Sequence, residues 1–192
     1  MNDRNGLIIC ISGPSGAGKG TVLGRVQEIF PDMGTSISVT TRQPRGAEQE
    51  GVEYYFRTRK QFEQMIADGE ILEYDTYVGN YYGTPAAHLR RLSSEGTDCL
   101  LDLTVAGSVA LKKIFGRDAL TIFLMPPSLE VLEQRLRGRG TETEEKIQSR
   151  LAQAEKEMKR MDEFDFVVVN DDLDRAVEEV KDLILRKQEE NS

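Results

Sequence analysis

Nine residues, GPSGAGKGT from Gly13 to Thr21, place four glycines and one lysine between an apolar run, LIICIS, and an amphipathic segment, TVLGRVQEIF. No other stretch of the chain constrains the fold so strongly: a strand must end, the backbone must turn sharply, and a helix must begin. Glycines permit the left-handed angles of such a turn and let a ligand approach bare main chain. Successive N–H groups then converge on one point, and the positive end of the new helix adds attraction for an anion. GxxxxGK between strand and helix is a phosphate-binding loop, with Lys19 supplying the formal charge. The competing reading is an ordinary glycine-rich turn, and the flanking strand and helix count against it. Gly20 stands where such loops usually carry a Ser or Thr that binds Mg²⁺. Thr21, the next residue, still offers a hydroxyl to phosphates, so a Mg²⁺ held mostly by phosphate oxygens and water is expected.

Elsewhere short apolar runs alternate with amphipathic segments: GLIICIS and TVLGRVQEIF, DCLLDLT and SVALKKIF, ALTIFLM and SLEVLEQRL, FDFVVVN and LDRAVEEVKDLIL. That is strand and helix taking turns. The strands are nearly continuous in Ile, Leu and Val, so both sheet faces are expected to be covered by helices, in a largely parallel α/β sheet. At 192 residues the chain suits one domain. No apolar stretch approaches the ~20 residues of a membrane span. The polar start MNDRNG reads as neither signal nor transit peptide, so a cytoplasmic address is expected. Cys10 and Cys99 lie in apolar runs and read as buried reduced thiols.

Two stretches break the rhythm. Residues 36–82 are rich in Thr, Tyr, Gly and Arg around one helical piece, RKQFEQMIADG, and read as a small β-rich insertion. Residues 135–161 read as a long charged helical region, in which Thr141 and Glu144 have the spacing of a capping box. Arg135 and Arg139 share a face if that helix persists, and Arg150, about three turns on, would return to it. Gly138 and Gly140 offer flexibility there. The tail RKQEENS is expected to fray.

The net charge of -8 repels extended polyanions, so no nucleic-acid partner is expected, and phosphate must be captured locally. TTRQPRG does this: Arg42 and Arg45, with Tyr54 further on, suit a monophosphate through forked guanidinium groups and a phenol hydroxyl. Alone, these residues fit a solvated β-loop nearly as well. His88 is the only histidine, which leaves almost no material for a histidine metal site or a Ser-His-Asp triad; it reads as a surface residue of the helix AAHLRRL.

In order behind GPSGAGKGT come SVTTRQPRGAEQEGVEYYF, GNYYGTP, RGTETEEKIQSRL and VNDDL. Together they resemble the guanylate kinase family, from about Leu7 to Leu185. The resemblance implies a P-loop NTPase-type parallel sheet flanked by helices, with a β-rich GMP-binding insertion (35–84), a helical lid (129–159) and a core of residues 1–34, 85–128 and 160–192. It implies ATP bound by Gly13, Pro14, Ser15, Gly16, Ala17, Gly18, Lys19, Gly20 and Thr21. Asn170 falls at the position near adenine, although it could equally be a residue of a helix N-terminal turn. Arg42, Arg45, Tyr54 and Tyr82 match residues that grip the acceptor phosphate, and Ser38, Glu73 and Thr84 those around guanine. Glu73 could accept from guanine N1–H and the 2-amino group together, whereas adenine presents a bare acceptor at N1; its competing reading is a solvent-facing strand residue. Asp102, at the end of a buried strand, could orient Mg²⁺-bound water. Many relatives carry a second acid two residues later, where this chain has Thr104.

The implied reaction transfers the γ-phosphoryl of ATP to GMP, with dGMP also accepted. The nucleophile is a phosphate oxygen already ionised at neutral pH, so no general base is needed. What must be supplied is alignment of two polyanions and compensation of moving charge, by Lys19, Arg42, Arg135, Arg139, Arg150 and Mg²⁺. Two other readings compete: a non-catalytic guanylate kinase-like interaction module, and a kinase for another small phosphorylated acceptor. The retained Gly18 and Lys19 oppose the first, and Glu73 with Ser38 opposes the second. Oligomeric state is not encoded in any of these motifs.

Overall fold

The computed structural model describes residues 4–77, 79–138 and 143–191. Along the chain the elements are β1 (Ile8–Ser12), α1 (Lys19–Ile29), β2 (Gly34–Thr35), β3 (Val39–Thr40), β4 (Tyr55–Phe56), α2 (Arg59–Ala67), β5 (Ile71–Tyr77), β6 (Asn80–Pro85), α3 (Ala86–Ser94), β7 (Cys99–Asp102), α4 (Val105–Phe115), β8 (Ala119–Met125), α5 (Leu129–Gly138), α6 (Glu144–Met158), β9 (Phe166–Val169) and α7 (Leu173–Glu190).

Five strands form a parallel sheet in the order β2-β7-β1-β8-β9. Because side chains alternate across a strand, β1 feeds two cores at once. Ile9 and Ile11 pack with Val22 and Val26 of α1 and with Val177, Val180 and Ile184 of α7. Ile8 and Cys10 pack on the other face with Leu89 of α3 and Leu111 of α4. This double burial is why LIICIS is apolar throughout. β9 departs from the expectation of strands covered on both faces: it is an edge strand, and only Val168 is buried while Phe166, Val167 and Val169 are exposed. β2 is a strand the sequence pattern does not announce, since two residues without an apolar run carry no periodicity.

Both cysteines are buried and free. Burial pushes the Cys99 thiol up to about 11, and Cys10 higher still, so neither is a reactive thiolate. His88 is exposed on α3, as expected.

A second sheet, order β4-β3-β6-β5, is built from the insertion. β5 and β6 form an antiparallel pair and β3 lies antiparallel to β6. α2, opened by a Thr58–Gln61 capping box, lays Phe62 against Tyr81 with ring centroids 5.1 Å apart. The sheet thus has a braced outer face, and its other face looks toward the first sheet, with α4 packed against β5.

The charged region is two helices rather than one. Thr143 has extended backbone (φ -74°, ψ 158°) and precedes Glu144, the first residue of α6, so the helix does not run unbroken from Arg135 to Arg150 and the phase relation expected between them does not apply. The expected capping box does not start α6 either: Thr143 is its N-cap, and Thr141 lies outside the described residues, as do Arg139 and Gly140. α6 folds back on α5 through Leu132, Leu136, Ile147, Leu151 and Ala154. At the C-terminus the expected fraying is also corrected. α7 continues to Glu190, with Gln188 donating to Asp98 at 2.7 Å and Asn191 to Asp118 at 3.1 Å. No described helix is long and apolar enough to cross a membrane.

Candidate active site

β1 and β7 end side by side, with Ile11 in register with Asp102, and a cleft of about 650 Å³ opens beyond these carboxyl ends, between the two sheets and α6. The phosphate-binding loop forms its floor. Gly13 has φ 144° and a side chain there would meet the Leu124 carbonyl oxygen at 2.2 Å, so only glycine fits. Gly18, at φ 97°, caps α1, and a Cβ on it would strike the Asn170 amide at 2.4 Å. Lys19 bends back over the loop, its ammonium 2.7 Å from the Gly13 carbonyl oxygen. A Cβ on Gly20 would meet nothing within 4 Å, and Thr21 is exposed.

Asp102 enters the cleft from the end of β7. Its side chain is open to solvent yet walled by protein on most sides; this desolvation raises its carboxyl above the usual range, and Lys19 nearby opposes the rise. Thr104 also lines the cleft, but its hydroxyl accepts from Gly107 N–H at 3.0 Å and caps α4.

The wall opposite is the insertion. Arg42 is 8% exposed and its guanidinium lies 5.2 Å from the Tyr54 ring centroid. Tyr54 and Tyr82 meet edge to face at 5.9 Å. Glu48, which the motif reading passed over, holds Arg42 with both oxygens at 2.9 and 3.0 Å and accepts from Arg45 N–H at 2.7 Å. It raises the Arg42 pKa and is itself lowered by that pairing. The signal was present in sequence as a carboxylate three residues beyond Arg45. Arg45 is exposed at the cleft edge, and Ser38 lines it.

Glu73 is not a solvent-facing strand residue. It is 8% exposed, and burial, with a smaller push from Asp75, raises its carboxyl to about 7 against the lowering bond from Thr84. Thr84, 1% exposed, donates its hydroxyl to Glu73 Oε1 at 2.5 Å, so it stands behind the carboxylate rather than in the cleft.

From α6, Arg150 donates to the Ser15 hydroxyl at 3.1 Å. Arg135 does not line the cleft: its guanidinium donates to the Asn170 carbonyl oxygen at 2.9 Å and the Ala17 carbonyl oxygen at 3.4 Å. Asn170, 6% exposed, also turns inward, its amide donating to Ala17 O at 2.7 Å. Lys146, Ser149 and Glu157 of α6 line the cleft without having been singled out in sequence, because in a helix rich in Glu and Lys nothing local marks the members that face a ligand.

Among the described residues no cluster of three or more His, Cys, Asp or Glu could hold a metal ion. Two cleft carboxylates, Asp102 and Glu157, feel the charge of Lys19, too few for a resident ion; Asp102, at the strand end, suits a hydrated divalent cation that brings its other ligands with it. The arrangement can do one thing well: receive anions at two places, the loop and the arginine wall, with a desolvated carboxylate beside the second.

Comparison with known proteins agrees. The family model for guanylate kinase matches residues 5–187. A guanylate kinase of Synechococcus sp. (strain JA-3-3Ab) is 48% identical over 179 residues, covering 93% of this chain and 82% of that protein. The crystal structure of guanylate kinase from Anaplasma phagocytophilum superposes with a TM-score of 0.77 at 30% identity, over 96% of this chain and 86% of that one.

Proposed function

Because the chain belongs to the guanylate kinase family, and so is a nucleoside monophosphate kinase that phosphorylates GMP with ATP, we propose how its residues divide that work. Residues 1–34, 85–128 and 160–192 act as the core, 35–84 as the GMP-binding insertion and 129–159 as the lid. Residues 13–21 cradle the phosphates of ATP through main-chain N–H groups, with Lys19 neutralising the donor end. Arg42, Arg45, Tyr54 and Tyr82 hold the acceptor phosphate. Ser38 and Glu73 read the base, and Thr84 orients Glu73. dGMP is proposed as a second acceptor.

The observation that carries the reading is Glu73: a carboxylate buried to 8% exposure on the far side of the same cleft as Lys19. Paired with guanine the ionised carboxylate gains two donors; facing adenine N1 that ionised form stays desolvated beside another acceptor. Mismatches of that kind discriminate by ~10⁴.

The reaction needs two anions brought in line. The acceptor oxygen is ionised at neutral pH, so no residue need remove a proton. Lys19 and Arg42 draw the two phosphates toward one another from opposite walls, and Arg150, already bonded to Ser15 of the loop, brings positive charge from the lid to the transferring group. Arg135 acts from behind the loop through Ala17 and Asn170. Asp102 and the nucleotide phosphates would hold Mg²⁺, which when bound offsets phosphate charge. Closure of the lid and insertion excludes water that would otherwise hydrolyse ATP.

The test is turnover of GMP, dGMP, AMP, UMP and dTMP by the purified protein, followed by ADP release. GMP and dGMP alone should support it; equal rates with AMP would remove Glu73 from its role.

A further inference from the structure

Gly107 lies in the first turn of α4, where its backbone is ordinary helix rather than left-handed. Ala is favoured over Gly within helices, by up to about 1 kcal/mol in the interior, so a glycine here invites a reason. The reason is what a methyl group would meet. A Cβ on Gly107 would lie 2.7 Å from Glu73 Oε2, 3.1 Å from its Cδ and 3.3 Å from Oε1.

We propose that Gly107 is a positioning and specificity-determining residue of the base site: its bare Cα is the surface against which the Glu73 carboxylate is set, so that the guanine-reading edge is fixed by the core helix rather than by the insertion alone. The inference rests on the reading of Glu73 as the base-recognising group.

The carboxylate is constrained from two sides. Thr84 Oγ1 donates to Oε1 from β6, and Gly107 abuts Oε2 from α4. Gly107 N–H is not available to Glu73, because Thr104 Oγ1 accepts it at 3.0 Å. The contact from α4 is therefore purely steric. It limits where Oε2 can sit without adding a donor from α4; the donors the carboxylate already has come from the side chain and main chain of Thr84.

The direction of strain is also settled by this geometry. Outside the helix itself, the three atoms nearest a Cβ at 107 all belong to the end of the Glu73 side chain. A methyl group would move that carboxylate and leave the helix intact. Recognition groups must be held to within about 0.5 Å to keep their selectivity, and a misplacement near 1 Å can cost about 100-fold.

Steady-state kinetics of Gly107→Ala, Glu73→Gln, Glu73→Asp and the Gly107→Ala/Glu73→Asp double variant test the proposal, with thermal melting of each. Gly107→Ala should melt no lower than the parent and raise KM for GMP about 10-fold or more, with KM for ATP within about twofold and the preference for GMP over AMP reduced. On the Glu73→Asp background, where the carboxylate is shorter by one methylene, the same added methyl should cost less than half as much in log units. An unchanged KM for GMP in Gly107→Ala, equal costs on both backgrounds, or a lowered melting temperature with GMP and ATP parameters damaged alike would each overturn it. Glu73→Gln separates the two readings. If it leaves KM for GMP untouched, the base-site assignment itself falls; if it raises KM while Gly107→Ala does not, only the role of Gly107 falls.

Discussion

Glu48 grips Arg42 in a two-pronged ion pair, Oε2 at 2.9 Å from Nη1 and Oε1 at 3.0 Å from Nη2. Arg42 Nη1 also donates to the Gln43 carbonyl oxygen at 2.8 Å, so three of the five guanidinium N–H groups are committed inside the insertion. The other two lie along the remaining edge, where Tyr82 also bonds the guanidinium, and that edge is the one the proposed acceptor phosphate would meet. Glu48 thereby sets which edge of the fork faces the cleft.

Glu48→Gln should therefore loosen the fork rather than abolish binding. The amide keeps the shape and loses the charge that makes such pairs strong. KM for GMP is expected to rise about 10-fold, with KM for ATP unchanged within about twofold, because the loop lies on the opposite wall. Initial rates with each substrate varied in turn give the answer. A fall in KM for GMP would instead mean that Glu48 competes with the phosphate for Arg42.

Asn170 invites a second prediction, since its side-chain amide donates to Ala17 O at 2.7 Å while its main-chain carbonyl accepts from Arg135 at 2.9 Å. Removing the amide leaves the loop carbonyl with only the longer contact from Arg135, at 3.4 Å. Asn170→Ala should cost about 1–2 kcal/mol of stability and weaken ATP binding about 10-fold, while GMP binding alone is unaffected. Calorimetric titration of each nucleotide separately, alongside thermal melting, distinguishes a brace for the loop from a contact to the base of ATP: the latter would weaken ATP without lowering the melting temperature.

What the sequence made readable was whatever is local. The loop is legible because GxxxxGK between an apolar run and an amphipathic one records a turn, a helix start and a charge within nine residues. The parallel sheet is legible because continuous apolar strands need cover on both faces, and β9 misleads only because it is an edge. A helical phase that does not exist puts Arg150 on the face of Arg135 and Arg139, whereas in the fold it meets Ser15 of the loop. It arrives there because Thr143 breaks the helix and α6 packs back on α5, a tertiary event with no short-range signature. Glu48 and Gly107 escaped for a related reason. Their meaning depends on which side chain stands opposite them, and Gly107 meets Glu73 only once α4 is laid against β5. The tail looked like seven polar residues, and only the fold reveals that Asp98 and Asp118 wait for it.

If Glu73 reads guanine as proposed, its carboxyl, raised from 4.5 to about 7 by burial, should make GMP recognition pH-dependent in a definite direction. In the free protein the protonated form is favoured by folding. Its contribution is fully present below the unfolded value of 4.5 and is lost as pH rises through about 7, on the order of 3 kcal/mol across that window. Guanine offers donors, so it selects the ionised form. GMP binding must then expel a proton from Glu73 wherever that group is protonated in the free protein, and KM for GMP should rise by up to about 10-fold for each pH unit below 7. Asp75 contributes to the raised value and Thr84 opposes it, so Asp75→Asn should move the transition toward lower pH and Thr84→Val toward higher. The phosphate of GMP also titrates, near pH 6, and its protonation would weaken binding in the same direction. Glu73→Gln separates the two, because it cannot ionise: the part of the pH dependence that survives in this variant belongs to the nucleotide, and the part that vanishes belongs to Glu73. Calorimetric titration of GMP at pH 6.5 in buffers of different ionisation enthalpy should show a net proton release in the parent larger than in Glu73→Gln, where only the share of the nucleotide phosphate remains. Identical proton counts in the two proteins would mean that Glu73 is ionised before GMP arrives, or is not the group that meets the base.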